Sequence, residues 1–281
     1  MVKETDNQPA TFCFSNAHRL GFVLFAAAII LCFIDVQISI VPLAIFLILC
    51  AVAPFLPRFG FFLPIVSKGI SGRKAVAITF DDGPDPRSTP ALLRLLQTYQ
   101  ITGTFFVTGE KAAHHPELIM EILSLGHLIG NHSYSHDNFI MLKGAGALTK
   151  EIQSTQDILQ KFGIRPLAFR PPVGITNPSL WKVLRKLGMY NVNFSCRAMD
   201  AGNRWIRNLS QRILKRVRPD DIIALHDIGP EDDAVFSYWL TEIERILSGV
   251  RERGFAVYPL SHLIGRPVML TKKEEHTTDQ S

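Results

Sequence analysis

The sequence predicts an α/β domain, a distorted or incomplete (β/α) barrel, which follows a membrane hairpin of two short helices. Two patterns support this fold class. After residue 70, short apolar stretches alternate with helical segments, as in parallel strands that are joined by helical crossovers. Before that point, residues 20–56 are almost wholly apolar, with interruptions only at Asp35, Gln37 and Ser39. This contrast separates a membrane part from a domain of about 200 residues.

Apolar runs and helical periodicity set the expected elements of the α/β domain. Strands are predicted at 75–81, 102–108, 127–131, 167–170, 190–195, 221–226 and 255–258. Helices are predicted at 89–99, 116–125, 147–162, 177–187, 208–218 and 236–253. The domain is therefore expected to span 74–265, between an interfacial linker at 57–73 and a polar tail at 266–281.

The apolar tract at 20–56 is expected to lie in a membrane, after an N-terminal tail at 1–19. As one helix it would be about 55 Å long, whereas the core of a bilayer is about 30 Å thick. Two short spans at about 20–34 and 38–56 fit this thickness better, and a hairpin that dips into one leaflet or a single crossing stays open. A cleaved secretion signal is disfavoured, because the tract is long and lacks a clean cleavage site.

Flanking charge indicates which side of the membrane the domain occupies. Cations lie on both sides of the apolar tract: Lys3 and Arg19 before it, and Arg58, Lys68, Arg73 and Lys74 after it. Because an excess of Lys and Arg marks cytoplasmic flanks, we expect the α/β domain on the cytoplasmic side of a bacterial-type inner membrane. The segment 59–66 is expected to contact membrane lipid.

The chain is basic, with 30 Lys and Arg residues against 25 Asp and Glu residues and a net charge of +5. One cluster of cations comprises Arg204, Arg207, Arg212, Lys215, Arg216 and Arg218. It fits anionic headgroups, a lipid-linked phosphate or a solvated helix face. No nucleic acid partner is expected, because aromatic side chains are not interleaved with the cluster. The four cysteines show no paired spacing, which disfavours a disulfide framework.

Two adjacent carboxylates, Asp81 and Asp82, stand at the end of the predicted strand 75–81. About fifty residues later, His132 and His136 lie four positions apart. One carboxylate and two imidazoles form the three-ligand set of a catalytic zinc-type site, which leaves one position open for water. A second carboxylate beside the first could take a proton from that water. This combination predicts metal-dependent hydrolysis.

Two further apolar runs end in polar residues, at Arg170 and at His226. Together with the residues above they match, in order, the motifs TFDDGP, H-[ST]-x-x-H and R-x-P-x-G, and then the motif L-x-H with Ala224 in place of its leucine. The chain therefore resembles the polysaccharide deacetylases of the NodB-homology family, carbohydrate esterase family 4, from about Lys74 to Leu263. This resemblance implies a NodB-type barrel. Asp227, next to His226, is expected either to contact that histidine or to begin a turn.

The resemblance also implies a role for each residue that matches a motif. Asp81 matches the catalytic base, and Asp82, His132 and His136 match the metal ligands. Arg170 matches the arginine that pairs with the base and orients it. His226 matches the general acid that protonates the departing amine. Val173 stands where the family usually has tyrosine, whose backbone N–H helps to hold the oxyanion.

A further family motif departs from the usual pattern. The family often has an Asp-Trp pair whose aspartate supports the motif arginine, and this chain has Arg204 and Trp205 instead. Asp200 or Asn203 is expected to take over that support, beside Trp205. The departure favours an altered substrate over an inactive protein, because the base, the metal ligands and the acid are all present.

Together these observations predict a hydrolase that removes an N-acyl group, acetyl in the leading hypothesis, from an amino sugar of a lipid-linked glycan. An exported-side deacetylase of cell-wall or capsular polysaccharide is one alternative. A membrane-anchored carbohydrate-binding protein without activity is the other. The histidine-rich ligand set favours zinc, and cobalt, nickel or manganese could also occupy it.

Overall fold

The computed structural model describes residues 14–200 and 202–272. The helices are α1 Asn16–Cys32, α2 Val36–Val52, α3 Ser88–Thr98, α4 Gly109–His114, α5 Pro116–Ser124, α6 Ala145–Gln160, α7 Pro178–Lys186, α8 Leu209–Leu214, α9 Asp233–Glu252 and α10 Leu260–Ile264. The strands are β1 Ile65–Val66, β2 Ala75–Asp81, β3 Thr104–Val107, β4 Leu128–Asn131, β5 Ile164–Pro166, β6 Ala168–Phe169, β7 Tyr190–Val192, β8 Cys196–Arg197, β9 Asp221–His226, β10 Ala256–Val257 and β11 Met269–Thr271. Short 3-10 helices cover Ala53–Phe55, Ile140–Leu142 and Pro172–Gly174.

One curled sheet of nine strands forms the centre of the domain. Its strands follow the order β1-β7-β6-β4-β3-β2-β9-β8, and β10 pairs with the first residues of β2. All strand pairs in this sheet are parallel. Within the described residues, β1 and β8 end the sheet without pairing to each other. The predicted distorted and incomplete (β/α) barrel is therefore confirmed.

The carboxyl ends of the central strands meet at one edge of the sheet. Parallel pairing places Asp81 opposite His226, and Asn131 opposite Phe169. All seven residues of β2 are buried, as expected for a parallel strand that is covered on both faces. Residues that directly follow these strands therefore start from neighbouring points of one edge, where α/β barrels carry their active sites.

The N-terminal apolar tract forms two helices, α1 and α2, as predicted. The Asp35 carboxylate begins α2 by accepting a hydrogen bond from the Gln37 N–H at 2.7 Å. Among the described residues, one helix, Val36–Phe55, is long and apolar enough to cross a membrane, with 20 residues and a mean hydropathy of 2.6. α1 is shorter, at 17 residues. It begins at Asn16 after the cap Ser15, so the predicted tail at 1–19 extends too far, and residues 1–13 lie outside the described chain.

The predicted interfacial linker at 57–73 is partly wrong. Phe61 and Leu63 are 1 % and 2 % exposed, and the Phe61 carbonyl accepts a hydrogen bond from the Ala17 N–H at 2.9 Å. β1 then joins the sheet beside β7. An apolar run suits lipid and a protein core equally well, and here most of it is packed between the hairpin and the domain.

The first part of the predicted polar tail at 266–281 also belongs to the fold. β11 pairs antiparallel with β5, and the Val268 carbonyl accepts hydrogen bonds from the Leu167 and Ala168 N–H groups. The strand predicted at 167–170 corresponds to β6, whereas β5, the partner of β11, was not predicted. Residues 273–281 of the predicted tail lie outside the described chain.

Candidate active site

Asp82, His132 and His136 converge on one point beyond the ends of β2 and β4. Asp82 Oδ1 lies 3.1 Å from His132 Nε2 and 2.9 Å from His136 Nε2. His132 Nδ1 donates to the Arg170 carbonyl oxygen at 2.7 Å, because a carbonyl can only accept. This bond leaves Nε2 of His132 as the free nitrogen that faces the carboxylate. Lys111 Nζ donates to the Asp82 carbonyl oxygen at 2.7 Å and holds that residue from behind.

These three side chains fit a divalent cation. Their ligand atoms lie within 4.8 Å of one another. Asp82 Oδ1 is buried and has no polar partner among the described residues besides the two imidazoles. Ligand atoms at about 2.0–2.2 Å from a tetrahedral zinc ion are separated by about 3.3 Å, close to the spacing here. Three protein ligands are also the number found in catalytic zinc sites.

Charge and backbone geometry agree with a ligand role for this set. Burial would raise the pKa of Asp82, but the hydrogen bonds and charges of His132 and His136 hold it well below its usual range. Asp82 is therefore ionised, as a metal ligand must be. Asp82 and His136 also have left-handed φ values of 72° and 53°. Such conformations are uncommon outside glycine and concentrate at functional sites.

Asp81 is held by the fully buried guanidinium of Arg170. Arg170 Nη1 donates to Asp81 Oδ1 at 2.6 Å and to Thr79 Oγ1 at 2.8 Å. Its other nitrogens donate to the carbonyl oxygens of Val192 and Asn193, each at 3.2 Å. Burial lowers the pKa of Arg170 and Asp81 opposes this, but an arginine stays charged in proteins. The structure thus brings Arg170 to the predicted base, as the sequence suggests.

His226 faces the same cavity from the end of β9, and Asp200 orients it. His226 Nδ1 lies 2.9 Å from Asp200 Oδ2. Burial would lower the pKa of His226, but the hydrogen bond and charge of Asp200, with the charges of Asp82 and Asp81, raise it to about 9. The imidazole is therefore protonated at neutral pH and can donate a proton from Nε2.

The predicted support of Arg170 by Asp200 or Asn203 is wrong. Asp200 pairs with His226, while Asn203 Nδ2 donates to the carbonyl oxygens of His226 at 3.1 Å and Ile228 at 2.9 Å. Both residues therefore support the histidine strand. The Trp205 side chain is exposed, with 68 % of the residue accessible, and the Trp205 backbone N–H donates to the Asp200 carbonyl oxygen at 2.9 Å. Buried backbone carbonyls fill the space around the Arg170 guanidinium, so it needs no second carboxylate.

Val173 lies in the 3-10 turn Pro172–Gly174, at the mouth of the cavity. Its φ is 60°, which is rare for a β-branched residue and costs about 1–3 kcal/mol. Asn193 Nδ2 donates to the Gly174 carbonyl at 3.1 Å and to the Pro57 carbonyl at 2.8 Å. The turn is thus fixed against the segment that leaves the hairpin.

Asp227 is a functional candidate whose role the sequence left open. Its side chain does not bond His226. Instead it is fully buried and accepts hydrogen bonds from the hydroxyls of Ser88 and Thr89, each at 2.6 Å. A Cβ at Gly83 would collide with its carboxylate. Burial raises the pKa of Asp227 to about 7, against the effect of the two hydroxyls. Asp227 therefore anchors the loop that carries Asp82.

Glu151 is a second residue that sequence reasoning missed. Its Oε2 accepts hydrogen bonds from the N–H groups of Tyr134 and Ser135 at 3.0 and 2.9 Å. It therefore holds the loop between the two histidines from helix α6. No motif or strand end marks this position, so no local signal in the sequence could have identified it.

Six of the seven residues that match motifs line one cavity of about 400 Å³. They are Asp81, Asp82, His132, His136, Val173 and His226. Asp200 also lines it, whereas Arg170 lies behind Asp81. The cavity can hold an acylated amino group between a carboxylate on one side and a protonated imidazole on the other.

Comparison with known proteins agrees with this geometry. The family model described as polysaccharide deacetylase matches residues 68–192. A peptidoglycan-N-acetylglucosamine deacetylase of Bacillus cereus is 31 % identical over 196 residues, which cover 69 % of this chain and 90 % of that protein. The chain belongs to the polysaccharide deacetylase family.

Two further relatives of this polysaccharide deacetylase show how far the likeness extends. A chitooligosaccharide deacetylase of Azorhizobium caulinodans is 32 % identical over 197 residues, which cover 67 % of this chain and 93 % of that protein. The crystal structure of the Bc1960 peptidoglycan N-acetylglucosamine deacetylase has a TM-score of 0.66 and 26 % identity, over 73 % of this chain and 94 % of that one. The predicted NodB-type family and the hydrolase class are confirmed.

Proposed function

We propose that this polysaccharide deacetylase removes an N-acetyl group from an amino sugar of a lipid-linked glycan at a membrane surface, with a bound divalent metal. One observation carries the catalytic part. Asp81 and His226 lie opposite each other on paired strands, next to the Asp82–His132–His136 set, and each is oriented by its own partner. The related enzymes, which are named as deacetylases of peptidoglycan N-acetylglucosamine and of chitooligosaccharides, support an N-acetylated hexosamine as the sugar.

Asp82, His132 and His136 would hold the metal. When bound there, a divalent cation, with zinc favoured by the imidazoles, supplies Lewis-acid chemistry by polarising the amide carbonyl and lowering the pKa of a water molecule. Asp81 accepts a proton from the attacking water. Arg170 fixes the direction of the Asp81 carboxylate and balances its charge. General base catalysis of this kind contributes about 10²–10⁴-fold to the rate.

His226 completes the reaction on the opposite side. An amine is a poor leaving group until its nitrogen is protonated, and the raised pKa of His226 keeps a proton available on the imidazole at neutral pH. Asp200 keeps Nδ1 occupied, so the proton that is donated comes from Nε2. The Val173 N–H is the backbone donor proposed for the oxyanion, and such a donor is worth about 3–4 kcal/mol.

The hairpin supports a membrane location. Many of its large apolar side chains are exposed, for example Phe22 at 78 %, Phe33 at 88 % and Ile34 at 73 %. A continuous apolar surface of this kind requires lipid or a protein partner. The Thr176 N–H, just after the Val173 turn, donates to the Pro54 carbonyl at the end of the hairpin at 3.3 Å. The active site is therefore built directly against the segment that would leave the bilayer.

The flanking cations support a cytoplasmic domain, as the sequence predicts. A second candidate, deacetylation of cell-wall or capsular polysaccharide on the exported side, is favoured by the names of the peptidoglycan-specific relatives. A topology reporter fused after Ser281 separates the two. Activity of a cytoplasm-specific reporter supports the first candidate, and activity of a periplasm-specific reporter supports the second.

The full-length chain in detergent tests the proposed reaction. Acetate release is measured from N-acetylglucosamine oligomers and from N-acetylglucosamine linked through diphosphate to a polyprenyl chain, with and without chelator. We expect zinc-dependent release that Asp81→Asn lowers by about 10²–10⁴-fold without loss of bound metal. Undiminished turnover in Asp81→Asn, or failure of the reloaded protein to bind any divalent ion, would contradict the proposal.

A further inference from the structure

A second cavity, of about 620 Å³, adjoins the active-site cavity. We call it the basic cavity, because its lining contains five cationic side chains and no acidic one: Arg58, Arg197, Lys215, Arg216 and Arg218. The active-site cavity differs, because Asp81, Asp82 and Asp200 line it together with Arg197 and Arg204. Only part of the sequence cluster at 204–218 faces this space, and Arg58 and Arg197 join it from distant parts of the chain.

Asp200 attracts Arg197 from a distance, but none of the five cations has a carboxylate at close range within the described part of the chain. None of them forms an ion pair with a carboxylate within residues 14–200 and 202–272. The nearby Asp221 is buried, and its carboxylate accepts a hydrogen bond from the Arg218 backbone N–H at 2.8 Å. Like charges that are gathered around one concave surface repel one another, and a bound anion removes that repulsion. The lining is therefore suited to a multiply charged anion.

Two contacts hold cationic side chains at the cavity wall. The Arg58 guanidinium donates to the Ser195 carbonyl, which draws the residue after the hairpin toward β8. The Arg197 guanidinium stacks on the Phe194 ring, with 5.0 Å between Cζ and the ring centroid. Each contact uses only part of the guanidinium, so further N–H donors remain for an oxyanion. Arginine donors in this arrangement favour phosphate, which accepts paired hydrogen bonds.

The basic cavity connects the hairpin to the active site. Phe194, Arg197 and Met199 line both cavities, so a ligand can extend from one to the other without crossing the core. On its far side the wall is formed by Pro57 and Arg58, which directly follow the hairpin. The cavity thus lies beside β8, the strand at one end of the open sheet.

We infer that the basic cavity binds a phosphate or diphosphate group that is covalently attached to the substrate glycan, close to the sugar that is deacetylated. This inference rests on the proposed deacetylase function and specifies its substrate class. The acetamido sugar occupies the active-site cavity, the phosphate lies among the five cations, and the lipid chain continues toward the hairpin. The phosphate is bound and is not cleaved, so the products are acetate and the free amine on an intact lipid-linked glycan.

The test uses the full-length chain in detergent and compares two substrates. One is a neutral N-acetylglucosamine oligomer, and the other is N-acetylglucosamine diphosphate attached to a short prenyl chain. The double variant Arg216→Gln/Arg218→Gln removes two cations from the basic cavity. The control Arg94→Gln/Lys161→Gln makes the same change in charge at two exposed positions outside it, neither of which forms an ion pair in the described chain.

We expect the ratio of kcat/KM for the diphosphate substrate to kcat/KM for the neutral oligomer to fall in the cavity variant. The fall should be about tenfold to a hundredfold for each charge-assisted hydrogen bond lost, whereas the control keeps the wild-type ratio. Inorganic pyrophosphate should inhibit wild-type turnover of the diphosphate substrate competitively, and the cavity variant should require at least about tenfold more of it. An unchanged ratio in the cavity variant would overturn the inference.

Phospholipid headgroups are the competing source of phosphate. Vesicles of phosphatidylglycerol and of phosphatidylcholine distinguish them: if the cavity variant loses only its binding to phosphatidylglycerol vesicles and keeps its substrate ratio, the inference is wrong. Failure of the proposed function looks different. In that case the wild-type protein releases no acetate from either substrate, while calorimetric titration with pyrophosphate still shows whether Arg216 and Arg218 bind the anion.

Discussion

The two sides of the active site differ in how firmly they are built. On the base side, Asp81 ends a central buried strand and is held by Arg170, whose guanidinium is fully buried and makes four hydrogen bonds. On the acid side, His226 also ends a strand, but its partner Asp200 comes from a loop that leaves Trp205 exposed. The base side is therefore built into the sheet, whereas the acid side depends on a loop, although Asp200 itself is buried.

This difference suggests a division of roles, in which the sheet-borne base side fixes the chemistry and the acid-side loop contacts the substrate. Loops that a rigid scaffold positions can change without loss of the fold, and they carry specificity in many enzymes. The acid-side loop has left-handed φ values at Met199, Asn203 and Asn208, and it lies between the active-site cavity and the basic cavity. The departure from the family's Asp-Trp motif, at Arg204 and Trp205, falls in this loop. We therefore expect variants on the base side to affect stability and variants on the acid side to affect pH dependence and substrate choice.

The largest effect is expected from Arg170→Met. The substitution leaves the Asp81 carboxylate buried without its ion pair, which typically costs about 3–5 kcal/mol of unfolding free energy. Urea unfolding measures the loss. The matched variant on the acid side is Arg197→Met, which removes a half-buried arginine that stacks on the Phe194 ring, worth about 0.5–1 kcal/mol, and is attracted by Asp200 without a close ion pair. Equal losses in the two variants would contradict the division between a base side built into the sheet and an acid side built on a loop.

Asp200→Asn should change the pH dependence of catalysis rather than the fold. Donation of a proton requires protonated His226, so activity is present below the pKa of that group and is lost as pH rises through about 9. Because the hydrogen bond and charge of Asp200 raise this pKa, the variant should have a lower pKa at His226, and its alkaline loss of activity should begin at a lower pH than in the wild type. We also expect kcat at neutral pH to fall by up to about 10²-fold. The pH profile of kcat measures both, and an unchanged alkaline limb would show that Asp200 does not tune the acid.

Asp227→Asn tests the buried carboxylate that anchors the loop carrying Asp82. Burial raises the pKa of Asp227 to about 7, so the native protein binds a proton there that the unfolded chain has released. The associated stability is fully present below about pH 4 and is lost as pH rises through 7. In the variant the part of this loss that falls between pH 5 and pH 8, about 2–3 kcal/mol, should disappear. Unfolding free energies at pH 5 and pH 8 measure it, and an equal pH dependence in both proteins would contradict the assignment.

Strand ends explain which parts of the site could be predicted from sequence. Asp81 and His226 follow long apolar runs, and parallel pairing brings the ends of such runs together without further information. The partner of His226 could not be predicted, because Asp200 and Asn203 lie on a loop whose path depends on tertiary contacts. The prediction that the linker around Phe61 contacts lipid was wrong for a related reason: an apolar run does not specify whether lipid or protein covers it. β11 was missed because its partner, β5, lies about a hundred residues away in the chain.

The smallest effect is expected at Val173, in the turn that joins the base side to the hairpin. Glycine adopts a φ of 60° without strain, so Val173→Gly should remove about 1–3 kcal/mol of backbone strain and lose about 0.4–1 kcal/mol to the greater freedom of the unfolded chain. We expect a net gain of about 1 kcal/mol in unfolding free energy. Because the N–H remains, kcat should stay within about threefold of the wild type, far less than the loss of one oxyanion donor would cause.

The matched control for this variant is Gly174→Ala, one position later in the same turn. Gly174 has a φ of 75°, and an added Cβ would lie 3.1 Å from the Phe194 ring, so alanine should destabilise the turn by at least about 1 kcal/mol. Opposite signs for the two variants in thermal unfolding would show that the turn is strained at Val173 and closely packed at Gly174. If Val173→Gly instead lowered kcat a hundredfold, the valine side chain itself would be required, and the base side would contribute to substrate choice as well as to chemistry.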